Sequence, residues 1–306
     1  MTITAGSHGI GSAVAIVNGA TLDAAAAAGL TVAGAIGGSG GVRKSGAGVV
    51  TLAGANAYSG VTTVAQGTLV LDGAVAGDVY VAGGGVVMGR GTMAGTLAGS
   101  GTIGPGSSTG ILAATAFDPA AGSTVVFQFS GAAPNYASAA ASINDVLRLT
   151  NPTTPFVSSL TAANTVDVFL DVPAIAIGDA FQGGFFTDLT DSLLTAVTGA
   201  NYRYFVRGDG GGNAATHDGV NYYALDAAFL PGFTGVQVKS TVVPVAAFAS
   251  GTVGGGNVTE FVVVPEPAVA TLAVIGLGIA GLIRGRIVRR SAGSPQAAAA
   301  TGSGRR

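Results

Sequence analysis

Gly29-Leu30-Thr31-Val32-Ala33-Gly34, Gly48-Val49-Val50-Thr51-Leu52-Ala53-Gly54, Gly67-Thr68-Leu69-Val70-Leu71-Asp72-Gly73 and Gly85-Val86-Val87-Met88-Gly89 are four versions of one pattern. Each is a short Gly-bounded run with strand character, and their starts at Gly29, Gly48, Gly67 and Gly85 recur at nearly even intervals. An earlier candidate, Gly11 followed by Val14-Ala15-Ile16-Val17-Asn18-Gly19, begins one such interval before the first. A strand this short cannot bury its own apolar side chains, but stacking one turn on the next makes a continuous ladder with a shared interior. The spacing therefore predicts a parallel β-helix over residues 1 to 150, with about nineteen residues per turn. Glycines at the corners allow tight bends with positive φ, and Asn or Asp beside them can bond to local backbone. A flexible Gly-rich linker would not space its Val, Leu and Ile so regularly.

Composition points the same way. Of 306 residues, 52 are glycine and only 9% are charged, so the long polar helical faces of an average globular enzyme cannot be built. With no cysteine, there is no disulfide framework, thiolate zinc site or thiol nucleophile, which suits export to an oxidising compartment. Residues 1 to 264 hold seven basic against fourteen acidic residues, a net charge of −7. No clustered Lys and Arg are left there to neutralise phosphates, so nucleic acid is excluded as a partner. The N-terminus has neither a basic n-region nor an apolar h-region. Since repeat-like sequence is already under way there, the chain is expected to start inside a longer protein.

The segment from Val42 to Leu71 contains Lys44-Ser45-Gly46-Ala47-Gly48, then Gly54-Ala55-Asn56-Ala57-Tyr58-Ser59-Gly60, then Gly67-Thr68-Leu69-Val70-Leu71. In this order and spacing it closely resembles the autotransporter-associated β-strand repeat found in exported passenger proteins. The resemblance implies a β-solenoid, here assigned to residues 1–110 with the repeat at 42–71. Gly99-Ser100-Gly101-Thr102-Ile103-Gly104 and Pro105-Gly106-Ser107-Ser108-Thr109-Gly110 look like the closing turns of such passengers. No series of long alternating membrane strands follows, so the outer-membrane barrel of a complete autotransporter is not expected.

From residue 111 the strands lengthen. Thr124–Phe129, Asp145–Thr150 and Thr165–Leu170 alternate polar and apolar residues, as half-buried strands do. Residues 111–260 are therefore assigned to a β-rich cap or small sandwich. Four tyrosines (Tyr202, Tyr204, Tyr222, Tyr223) and five phenylalanines (Phe181, Phe185, Phe186, Phe205, Phe229) fall between 178 and 230. Strand packing accounts for them more simply than a carbohydrate platform.

The C-terminus supplies a second signal. Val264-Pro265-Glu266-Pro267 is followed by sixteen uncharged residues, Ala268 to Ile283, and then by Arg284, Arg286, Arg289 and Arg290. This order closely resembles a PEP-CTERM sorting signal, here assigned to residues 264–290. The resemblance implies recognition at Pro265, Glu266 and Pro267 by an exosortase-type enzyme, with a temporary inner-membrane helix at 268–283. That run is short for a permanent span of about twenty residues. The arginine cluster should stay cytoplasmic and leave residues 1 to 264 on the far side. Residues 291–306, rich in Ala, Ser and Gly, are expected to be disordered.

Catalytic motifs are weak. Gly37-Gly38-Ser39-Gly40-Gly41 matches a nucleophile elbow and Gly99 to Gly104 a dinucleotide fingerprint, but neither opens a helical pattern. Up to Gly110 the chain offers only Asp23, Asp72, Asp78 and His8 as candidate acids and bases. Elsewhere Asp188 with Asp191, and Asp209 with His217 and Asp218, read as turn and surface residues. Gly208-Asp209-Gly210-Gly211-Gly212-Asn213 lacks the ligand spacing of known calcium loops, and the sequence leaves open whether 208–219 holds an ion. The chain is thus read as all-β and non-catalytic, with no metal or cofactor. It is an exported surface or matrix protein, structural or adhesive, with exopolysaccharide as candidate partner. The competing reading is a carbohydrate-active β-helix enzyme, a polysaccharide lyase or hydrolase, which would need carboxylates converging on one groove.

Overall fold

In the strand Gly67–Leu71, Leu69 and Leu71 are 1% and 0% exposed while Thr68 and Val70 are half-buried. This is the period-2 alternation of a sheet with one face against a core. In the computed structural model the same alternation repeats around a three-sided coil. Residues 2–5, 8–26, 28–106, 109–130, 144–151, 153–156, 165–171, 180–187, 202–207, 222–225, 236–248 and 253–265 are described by the structure. All but Pro265 belong to one unit, Met1–Val264.

One coil shows the plan. Val42–Ser45 lies on the first face, Val49–Leu52 on the second and Ala55–Asn56 on the third. The chain then climbs to Thr62–Val64, Gly67–Leu71 and Ala74–Val75 on the same faces in the same order. The first face is a seven-stranded sheet running from Thr2–Ala5 to Ala116–Pro119, parallel at every step. The second face has ten strands and the third eight, with Val14–Ile16 and Ile36–Gly38 forming a separate pair below the third.

Register makes the core continuous. On the second face Leu30 lies beside Val50, then Leu69, Val87, Ile103, Val125 and Val168, and each is at most 1% exposed. On the first face Val42, Thr62, Val79, Leu97 and Phe117 form a second inward file. Stacking puts each inward residue against its counterparts above and below, and full burial of a Val or Leu contributes about 1.5–3 kcal/mol.

The near-even spacing of the glycine motifs averages an uneven set of steps. Gly29 pairs with Val49, Val49 with Thr68 and Gly67 with Gly85, so each step is one residue shorter than the last. Aligning the glycines would set Leu30 against Val49. The structure sets it against Val50, because a slip of one residue would turn every apolar side chain of the strand outward. The sequence motif at Val14–Ile16 also belongs to a different face from Gly29–Val32, whose neighbour in the earlier coil is His8–Ile10.

All three faces run on past residue 110, where the sequence suggests a change of module. Ile111–Ala114, Val146–Leu149 and Ala180–Thr187 continue the third face, and Thr124–Gln128, Val166–Asp171 and Tyr202–Arg207 the second. The first face ends there with Ala116–Pro119. What changes is the connection. Thr124 pairs with Asp167, Val146 with Gly184 and Val166 with Tyr202, each step far longer than any between Gly29 and Gly85. Phe117, Phe127, Phe156 and Tyr202 gather around Phe185 there, with ring centroids 5.1–6.0 Å apart. Strand packing thus accounts for Phe185 and Tyr202. Both later faces then turn antiparallel, at Tyr222–Leu225 and at Val253–Pro265. No helix occurs among the described residues, and none there is long and apolar enough to cross a membrane. The expected membrane helix at 268–283 and tail at 291–306 lie outside them.

The register generates a direct test. Leu69→Ala should destabilise the protein by about 2–5 kcal/mol, whereas Val70→Ala, one position along and half-buried, should stay within about 1 kcal/mol. Chemical denaturation of the two variants measures the difference, and equal losses would refute the inward file.

Candidate functional site

The most specific stretch of sequence, 42–71, places four polar side chains, Lys44, Asn56, Tyr58 and Thr62, inside the solenoid. Lys44 stands in the inward file of the first face, between Leu22 and Val64, and is 0% exposed. Its Nζ donates to the carbonyl oxygens of Ser45 at 2.7 Å, Gly46 at 2.6 Å and Gln66 at 2.9 Å, so all three ammonium protons are used. Gly46, at φ 73°, and Gly67, at φ 67°, make the turns that bring these carbonyls to the corner. A Cβ on Gly67 would approach the Gly46 oxygen to 2.4 Å. Burial pushes the Lys44 ammonium below the ordinary lysine value, and the charge of Asp23 acts the other way.

Asn56, 3% exposed on the third face, joins three coils. Its Oδ1 accepts the Ile36 N–H from the coil below at 3.0 Å, and its Nδ2 donates to Gly54 at 2.9 Å and to Ala74, one coil above, at 3.0 Å. Tyr58 is fully buried, and its hydroxyl shares a short hydrogen bond with Thr62 Oγ1. Burial raises its phenol above the usual value, with the Thr62 bond opposing. These motif positions are therefore clamps between coils, not groups presented to solvent.

The candidate acids of the early coils do not converge. Asp72 Oδ1 accepts the Arg90 N–H at 3.3 Å and lies 3.9 Å from Arg90 Nε on the surface, where such pairs contribute about 0–1 kcal/mol. Asp78 Oδ1 accepts the Thr96 N–H at 2.7 Å, and Asp23 lies near Lys44. His8 is placed in a strand of the second face. Neither glycine motif opens a helix: Gly38 ends one strand, Gly99 ends another and Gly104 lies in the next. Among the described residues no group of His, Cys, Asp or Glu could hold a metal ion. Asp188, Asp191, Asp209, His217 and Asp218 lie outside the described residues, as do Glu266, Pro267, Arg284, Arg286, Arg289 and Arg290. Pro265 ends the strand Val253–Pro265.

One acid that the sequence does not single out stands apart. Asp145, 1% exposed, lies just before the third-face strand Val146–Leu149. Its Oδ1 accepts the Gly110 N–H and its Oδ2 the Gln128 N–H, both at 2.8 Å. Burial, reinforced by the charge of Asp171 and opposed by these two hydrogen bonds, pushes its carboxyl up to about 8. It is therefore protonated at neutral pH. Its partners are distant in sequence, so no local motif could have marked it.

Two measurements follow. Asn56→Ala strands the Ile36 N–H and the Ala74 carbonyl between coils, while the Gly54 carbonyl keeps the Ala74 N–H, and should lower stability by about 2 kcal/mol in a denaturant titration. Asp145 binds a proton more tightly folded than unfolded, so it favours the fold below about pH 4, and that contribution is lost as the pH rises to about 8. Asp145→Asn should flatten this fall in thermal stability between about pH 4 and 8, and an unchanged slope would assign it to other groups.

The segment that carries these buried polar residues also carries the family likeness. A family model described as the passenger-associated-transport-repeat matches residues 42–71, and no curated protein matches the chain. With the solenoid that surrounds it, the repeat fits a secreted, passenger-like β-helix protein.

Proposed function

We propose that this chain is a structural or adhesive β-helix of the bacterial cell surface or extracellular matrix, delivered by a C-terminal sorting signal of PEP-CTERM type. The observation that carries the reading is the match at residues 42–71 to a repeat of exported passengers, in a chain whose buried polar residues Lys44 and Asn56 hold coils together. Coils about 4.8 Å apart build a rod from short sequence units, which suits a protein that must extend from a surface. The scattered acids Asp23, Asp72 and Asp78 favour this reading over a polysaccharide lyase or hydrolase. The partners proposed are an exosortase-type enzyme, the inner membrane during transit, and exopolysaccharide at the destination.

The tail gives the reading its chemistry. Pro265 and Pro267 disfavour helix before the apolar run and should present Glu266 in the extended form that a protease or transpeptidase takes. Glu266 is then a recognition residue. In a host with the sorting enzyme, surface-extracted protein should lack Arg284 to Arg306, and Glu266→Ala should leave the uncut chain in the inner membrane. Intact-mass measurement decides it, and a mature chain that keeps the arginine cluster would falsify the sorting assignment.

A further inference from the structure

The first face turns an outward file to solvent as well as an inward one to the core. In register it runs Thr21, Arg43, Thr63, Tyr80 and Ala98. Arg43 and Tyr80 are exposed, and the two threonines are half-buried. Arg43 lies in a hollow of about 450 Å³, lined by Thr21, Arg43 and Thr63 together with Asn18, Gly41 and Val61. That volume falls within the range of small-molecule sites, but the lining is polar where such sites are mostly apolar. Beyond Thr63 the file continues to Tyr80. Neighbouring strands are about 4.8 Å apart, so Tyr80 stands roughly 10 Å from Arg43 along the coil axis.

Other outward polar groups of these coils are spent on the protein itself. Asp72 and Asp78 accept main-chain N–H groups, and Ser39 and Thr115 donate to carbonyls. Among the described residues, the side chains of Thr21, Arg43, Thr63 and Tyr80 make no hydrogen bond, ion pair or ring contact. Arg43 differs in this from the other basic groups described. Lys44 is enclosed by three carbonyls, Arg90 lies beside Asp72, and Arg148 is engaged as well. The acid on the neighbouring strand, Asp23, stands opposite Ser45 and not Arg43, and its charge bears on Lys44. Tyr80 differs in the same way, since Tyr58 is fully buried and Tyr202 packs on Phe185.

The chemistry of the file selects a ligand. A planar carboxylate matches the guanidinium fork with two parallel hydrogen bonds. A phosphate carries more negative charge than one arginine offsets, on residues 1 to 264 whose net charge is −7. The threonine hydroxyls on either side of Arg43 can pair with the hydroxyls of a sugar, and the exposed Tyr80 ring is an apolar surface for the C–H face of one. Carboxylate and sugar ring together describe a uronic acid. The distance from Arg43 to Tyr80 exceeds one pyranose ring, so the two side chains suit successive units of a chain.

We infer that the outward file of the first face binds an acidic polysaccharide. Arg43 takes the carboxylate of a uronate unit, Thr21 and Thr63 its hydroxyls, and Tyr80 lies under the neighbouring sugar. The inference rests on the surface role proposed above, and gives the polysaccharide partner its charge and its place on the fold.

Calorimetric titration of the whole chain with oligogalacturonate tests this. The methyl ester of the same oligomer removes the charge and keeps the rings, and acetate keeps the charge and removes the rings. The oligomer should bind about tenfold more tightly than either. Arg43→Gln should weaken oligomer binding about tenfold, and Tyr80→Ala roughly threefold with no effect on acetate. Both residues face solvent, so both variants should keep the thermal unfolding of the parent, measured alongside. Equal binding of oligomer and ester, acetate binding as tight as the oligomer, no oligomer binding at millimolar concentration, or undiminished binding by either variant would overturn the inference. A chain whose tail is processed as proposed but which binds no oligomer refutes the site and leaves the sorting reading standing. Oligomer binding by a chain whose tail stays uncut does the reverse.

Discussion

An inward side chain of one coil must meet an inward side chain of the next, and the rest of the fold depends on that register. The coils share no helix, disulfide or metal cluster among the described residues. They are held by parallel ladders and by the files that run through Leu30, Val50, Leu69, Val87 and Ile103. Parallel pairing slides by two residues at little local cost, since the alternation of faces survives such a slip. Apolar files alone would tolerate it as well, because Val, Leu and Ile replace one another with modest loss. Something else has to fix the register.

The polar residues of the 42–71 repeat are suited to that. Lys44 inside the file Leu22–Lys44–Val64 is tolerable only where three carbonyls converge on its ammonium, and those belong to two successive corners. Slide either coil by two residues and the ammonium keeps the Ser45 and Gly46 carbonyls of its own coil but loses that of Gln66, which leaves a buried donor unmet at a cost of about 1–3 kcal/mol. Asn56 works in the same way across three coils, and Thr62, buried in the file between Val42 and Val79, is satisfied by Tyr58. The repeat therefore acts less as added stability than as a marker of position, around which the less distinctive coils can stack.

The solenoid and its mean pitch are legible in the sequence because glycine-bounded runs of Val, Leu and Thr recur at nearly regular spacing between Gly29 and Gly89. The one-residue offset that sets Leu30 against Val50 is not, since Gly29 and Gly48 are not themselves in register, whereas Gly67 and Gly85 are. Lys44 is visible as part of a motif but not as a buried group, because a lysine on a strand is ordinarily solvated. Val146–Leu149 reads from its alternation as a half-buried strand. Its place on the third face depends on pairing with Ile111–Ala114 across an insertion, which no periodicity encodes.

Asp145 shows where such insertions lead. In the early coils the short steps between register partners leave room only for corners, and acids such as Asp72 and Asp78 settle there as surface acceptors of backbone N–H groups. Once the steps lengthen, the chain returns to the stack from a distance and enters the third face at Val146, with Asp145 just ahead of the strand and bonded to Gln128. Two backbone donors then become available to one carboxyl that solvent no longer reaches. Two hydrogen bonds are too few to keep this carboxylate ionised against its burial, so the acid stays neutral. Gly104, in a strand that still follows the short steps, leaves a gap in the outer file beside it. A buried acid and an outer pocket thus meet where a regular repeat gives way to longer connections, the place in a solenoid where sequence is least constrained by stacking.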